Sequence, residues 1–194
     1  MQWLLVGLVV FLGVHSISIV SHDWRERMVG TFGELPWKVL YTLASLAGLV
    51  CLVYGYGLAR QAPTMLYAPP SWGRHLTMLL MLPVFPLLLA AHLPGRIKST
   101  ARHPMLLATK LWAVAHLVAN GGLHDVLLFG GFLVWAVADR MAVKRRPADA
   151  TPQPVGKAVN DLLAIVIGLG LYALFVVWAH GTLLGVPLLP GGAG

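Results

Sequence analysis

Charge and cysteine are what this sequence has least of. Only 11% of its 194 residues are Asp, Glu, Lys or Arg, against roughly 25% in a soluble domain. That argues against a soluble enzyme. Disorder is excluded too, because 58% of the residues are hydrophobic. Cys51 is the lone cysteine, which rules out an intramolecular disulfide framework and a Cys-rich zinc or iron–sulfur site. Soluble catalytic signatures are missing as well. The chain has no Gly-rich phosphate loop, no His-Glu-x-x-His zinc motif and no Gly-x-Ser-x-Gly elbow.

What the chain does have is long apolar runs. They cover Gln2–Val20, Val39–Leu58, Leu76–Leu93, Pro104–Ala119, Leu123–Met141 and Asp161–Ala179. Each is about 16–20 residues, near the length that crosses roughly 30 Å of hydrocarbon. The first lacks a basic n-region and a small-residue cleavage site, so it is expected to stay as a helix rather than leave as a signal peptide. The expected fold is therefore an all-α, polytopic bundle of six transmembrane helices. It forms one domain over 1–186, with 187–194 as a flexible tail.

The basic residues set the expected orientation. Arg25, Arg27 and Lys38 follow the first run, and Arg96, Lys98 and Arg102 follow the third. Arg140, Lys144, Arg145, Arg146 and Lys157 follow the fifth, while the opposite loops hold only Arg60 and Arg74. The loops after the odd runs are then cytoplasmic, and both termini lie on the periplasmic side of a bacterial inner membrane. The net charge of +7 reads as this topology signal, with lipid headgroups and not nucleic acid as the partner. Pro63, Pro69 and Pro70 punctuate the second outer loop, and Ala148–Gly156 reads as a flexible inner linker. Asn120-Gly121-Gly122 reads as a tight turn that makes the fourth and fifth runs a hairpin. Pro83 and Pro86 predict a kink in the third run. Cys51, Gly55 and Gly57 read as close-packing positions.

Depth then sorts the histidines. His22, His92, His103, His75, His124 and His180 fall at the boundaries, where they read as interfacial polar residues. His15 and His116 lie deep, about 14 Å and about 18 Å from the inner boundary at 1.5 Å per residue. Paired imidazoles near mid-membrane meet the requirement for bis-histidine ligation of a haem iron. A hydrogen bond across the bundle and a proton or ion relay are the other two readings. Thr109, Ala113, His116 and Asn120 share a helical face, and the small side chains there leave room for a planar ring. Lys110 lies about 9 Å inside the boundary, so the fourth run is expected to be buried in the bundle. Arg102, His103 and Lys110 form a basic inner cluster. It suits haem propionates or another anion, or else a structural network with Asp139 and Asp161.

These residues carry a family resemblance. Gly13-Val14-His15-Ser16, Leu93-Pro94-Gly95-Arg96-Ile97-Lys98, Arg102-His103-Pro104 and Leu111-Trp112-Ala113-Val114-Ala115-His116-Leu117-Val118-Ala119-Asn120 resemble the NnrU family of bacterial inner-membrane proteins. Ala136-Val137-Ala138-Asp139-Arg140 and Asn160-Asp161 fit as well. The resemblance implies a role in denitrification and nitric oxide metabolism. The family is similar to plant zeta-carotene isomerase, a membrane haem b protein. Its ligating histidines match His15 and His116 here. The isomerase has a cysteine three residues before the second histidine, where this chain has Ala113, so a histidine-to-cysteine ligand exchange has no residue to supply it. Arg102-His103-Pro104 also looks like the S-adenosylmethionine motif of isoprenylcysteine carboxyl methyltransferases, but the acidic C-terminal part of that site has no counterpart after Asp161.

The leading expectation is a haem b membrane protein of nitrogen-oxide or redox metabolism, with a small hydrophobic or gaseous ligand and an unnamed redox partner. The alternatives are a transporter or assembly factor using Lys110, His116, Asp139 and Asp161, or an isomerase-like enzyme. The residues themselves leave enzymatic activity open.

Overall fold

The computed structural model describes residues 1–145 and 156–189. The side chain of His22, Arg146 and most of the Ala148–Gly156 linker lie outside the described residues, as does the tail beyond Leu189. Among the described residues the chain is helical, with a single isolated bridge between Met65 and Gly122. Among the described residues, five helical stretches are long and apolar enough to cross a membrane: Gln2–Val20, Glu34–Ala59, Gly73–Ala90, Leu123–Arg145 and Ala158–Leu184. Pro104–Ala119 is apolar but shorter. The chain is thus built as a multi-pass membrane protein. It divides into two compact units, unit 1 from Met1–Gly73 and His116–Pro147, and unit 2 from Arg74–Ala115 and Ala148–Gly194.

In unit 1, α1 (Gln2–Val20) is apolar on every side, as a lipid-embedded helix should be. The segment Ser21–Lys38, expected as a loop, is instead mostly helical. Ser21 accepts a hydrogen bond from the Trp24 amide at 3.3 Å and caps α2 (His22–Phe32). Gly33, at φ +89°, then reverses the chain into α3 (Glu34–Ala59). The Trp24 and Trp37 rings meet edge to face at 5.8 Å and hold α2 on α3. α1 and α3 pack antiparallel through glycines that admit no Cβ. Gly7 abuts the Leu52 backbone, Gly48 the Phe11 backbone and Gly55 the Leu4 backbone. Close backbone approach of this kind is how membrane helices associate without a hydrophobic driving force. Gly57, read from sequence as a packing position, has nothing within 4 Å of where its Cβ would stand. Leu4, Leu8 and Leu52 form the core, with Phe11, Leu12, Tyr56 and Phe132 packed around it.

In unit 2 the predicted kink is a full break, between α4 (Gly73–Met81) and α5 (Val84–Ala90). Pro83 has no N–H to give, and the Leu82 amide turns to Leu79 O at 3.3 Å. The Met78 carbonyl is taken up by the Tyr172 hydroxyl, which donates to it at 2.8 Å. That is the re-satisfaction a broken helix needs in lipid. Gly168 fits against the Pro86 backbone, so α9 (Ala158–Leu174) presses into the break. A widened π turn, Phe175–Ala179, continues α9 into α10 (His180–Leu184). Between α5 and α7 (Pro104–Ala119) lies a further short helix, α6 (Arg96–Ala101). α8 (Leu123–Arg145) follows α7 across the turn at Asn120.

Candidate functional site

His15 and His116 both fall in unit 1. His15 is half-buried on α1. Its Nδ1 lies 2.7 Å from the Phe11 carbonyl oxygen one turn earlier. A carbonyl only accepts, so Nδ1 carries the proton and Nε2 keeps its lone pair. The ring stacks on Phe11 at 4.3 Å and meets the edges of Tyr41 at 5.3 Å and Trp135 at 6.1 Å. His116, half-buried near the end of α7, stacks on Phe129 at 4.6 Å. Both imidazoles therefore pack against α8, at neighbours six residues apart, or about 9 Å of helix rise.

This arrangement fits haem in its donor chemistry. Haem iron asks for only one or two axial side chains. The described residues hold no cluster of three or more His, Cys, Asp or Glu suited to a bare metal ion. His15 offers a fixed tautomer, and an aromatic ring stacks on each imidazole. Among the described residues, Trp135 Nε1, on the ring that meets His15, is buried with no hydrogen-bond partner. On the face shared by Thr109, Ala113, His116 and Asn120, Ala113 is fully buried and the other three are partly buried. Access to His116 is from its own partly exposed side.

A second constellation was not anticipated. Asp125 and His124, in the first turn of α8, are each only 5% exposed. The Tyr56 hydroxyl donates to Asp125 Oδ1 at 2.6 Å, and the Gly122 amide donates to Oδ2 at 3.0 Å. His124 Nε2 lies 3.5 Å from Oδ1, and His124 Nδ1 is buried without a partner. The Arg60 guanidinium lies over the Tyr56 ring at 5.9 Å. His124 is thus a buried residue and not the interfacial one its sequence position implied. The cause is the α3–α4 loop, which folds onto the α7–α8 turn. Leu66 N donates to Gly121 O and Leu123 N to Thr64 O, each at 2.8 Å. The Tyr67 hydroxyl donates to the carbonyls of Leu117 and Asn120. Partial burial, and next the Asp125 carboxylate, push the Tyr67 phenol above its ordinary value. Asp in a helix's first turn was the one available signal for this network.

Arg102, His103 and Lys110 fall in unit 2. Arg102 is exposed, at φ +58° where α6 ends. His103 and Lys110 are half-buried, seven residues apart and so on one face at the start of α7. Asp161 does not complete this cluster as expected. Its carboxylate accepts the amides of Arg96 at 2.9 Å and Ile97 at 3.0 Å, capping α6. The Asn160 side chain donates to Pro94 O at 2.8 Å. The paired motifs Leu93–Lys98 and Asn160-Asp161 thus serve each other structurally.

Against known proteins, a family model described as NnrU protein matches residues 3–188. No curated protein and no solved structure matches the chain.

Proposed function

Since the chain belongs to the NnrU family, we propose that this multi-pass membrane protein holds haem b between His15 and His116 and serves nitric oxide and denitrification chemistry. The observation that supports this is the pair of half-buried imidazoles packed on α8 within one unit, with His15 held in the tautomer that frees Nε2. Haem held there by His15 and His116 would supply a one-electron redox centre. The chain's own part is to fix the two rings and to exclude water with Phe11, Phe129 and Trp135.

The same reading has six spans, with α7 as the short one at about 24 Å of helix rise. An even number puts both termini on one side, the periplasmic side of a bacterial inner membrane by the distribution of Lys and Arg. Haem titration tests the assignment. Protein supplied with haem should take up about one haem per chain by pyridine haemochrome. His15→Ala and His116→Ala should each lose the low-spin spectrum while the protein still inserts. An unchanged spectrum in both variants contradicts the assignment.

A further inference from the structure

A cleft of about 270 Å³ lies where α3 ends and α8 begins, within unit 1. Pro63, Met65 and Pro69 give it apolar walls, Asn120 an amide, and His124 and Asp125 a buried polar side. The hydrogen-bond inventory there is uneven. Both Asp125 oxygens are occupied, by the Tyr56 hydroxyl and the Gly122 amide. With His124 Nε2 only 3.5 Å from Oδ1, the carboxylate favours the proton on Nε2 and leaves the lone pair on Nδ1. Nδ1 is buried and has no partner, a costly state for a polar atom. A Cβ at position 122 would stand 2.8 Å from Nδ1 and 2.9 Å from Asp125 Oδ2, so a side chain there would press on both groups. What is missing is a hydrogen-bond donor.

The cleft's size and walls define the rest of that donor. A single aromatic ring needs a cavity of about 150 Å³, so one substituted ring fits and a multi-ring ligand does not. The apolar walls suit a ligand that partitions into the bilayer. Ring contacts run on from this point. His124 meets Tyr56 at 5.2 Å, Tyr56 meets Phe129 at 6.3 Å, and Phe129 stacks on His116 at 4.6 Å. A hydroxyl-bearing ring in the cleft would extend an unbroken aromatic series to one of the two deep histidines.

We propose that this cleft binds the ring of a membrane-soluble hydroquinone, with His124 Nδ1 accepting the hydrogen bond of its hydroxyl. Binding requires the Asp125–His124–Tyr56 network and holds whether or not haem is present. The probe is a short-alkyl-chain 1,4-hydroquinone, kept reduced, titrated into haem-free protein in detergent alongside its dimethyl ether, which has the same ring and no donor. Wild type should bind the hydroquinone about tenfold more tightly than the ether. His124→Phe and Gly122→Ala should erase that preference, and His116→Ala should keep it. Equal affinity for the two compounds, no saturable binding, or a preference that survives in His124→Phe would overturn the proposal. So would displacement of the hydroquinone by inorganic phosphate, which would assign the cleft to an anion beside Arg60. If His124→Phe fails to fold, the hydroquinone-to-ether comparison on wild type decides alone. Loss of haem in His15→Ala with hydroquinone binding intact separates this site from the haem assignment.

Discussion

A buried carboxylate in an apolar bundle persists only while its oxygens are occupied. Asp125 meets that condition through Tyr56 and Gly122. Tyr56→Phe removes one donor and should lower stability by about 1–3 kcal/mol. Asp125→Ala strands the Tyr56 hydroxyl and the Gly122 amide together and should cost more. Thermal unfolding in micelles reads both, and equal melting temperatures for wild type and both variants would contradict the network. At this scale the sequence was half legible. His15 and His116 stand out because a lone imidazole in an apolar run is costly wherever it lies. Tyr56 and Asp125 do not stand out. Their partnership spans 69 residues, and each has a bland local explanation, as an apolar-run aromatic and as a first-turn acid. The position of His124 along its own helix places it at the boundary, whereas its burial comes from a loop that folds over it.

Among the elements, the apolar runs were legible and their junctions were not. Ser21–Lys38 carries enough charge to read as loop, yet a serine cap and a glycine at φ +89° bound a helix there. Pro83 and Pro86 announced a disturbance, but the depth of the break depends on Tyr172 and Gly168, which lie far along the chain. The glycines show the same limit. Gly55→Ala should destabilise unit 1 by more than about 1 kcal/mol, because a Cβ there meets the α1 backbone. Gly57→Ala, with open space around it, should be neutral or slightly stabilising by up to about 1 kcal/mol. Melting temperatures of the two variants check this, and a reversed order would refute the packing. Asp161→Ala should cost about 1 kcal/mol at α6. It would speed hydrogen exchange of the Arg96 and Ile97 amides, and unchanged protection there would deny the cap.

At the level of the whole molecule, one family model runs across both compact units, and the membrane crossing rests on five long helices with α7 as the short one. Single cysteines at residues 2 and 188, placed on a Cys51→Ser background, test the six-span arrangement. Both should react with an impermeant thiol reagent from the same side of sealed vesicles. Reaction from opposite sides would leave an odd number of crossings. The central claim, haem held by His15 and His116, meets its most direct test in the visible absorption spectrum of the purified, haem-supplied protein, oxidised and then reduced with dithionite. The account predicts a sharp Soret band, with resolved α and β bands on reduction, and their loss in His15→Ala and His116→Ala. A protein that stays colourless when haem is added would contradict it.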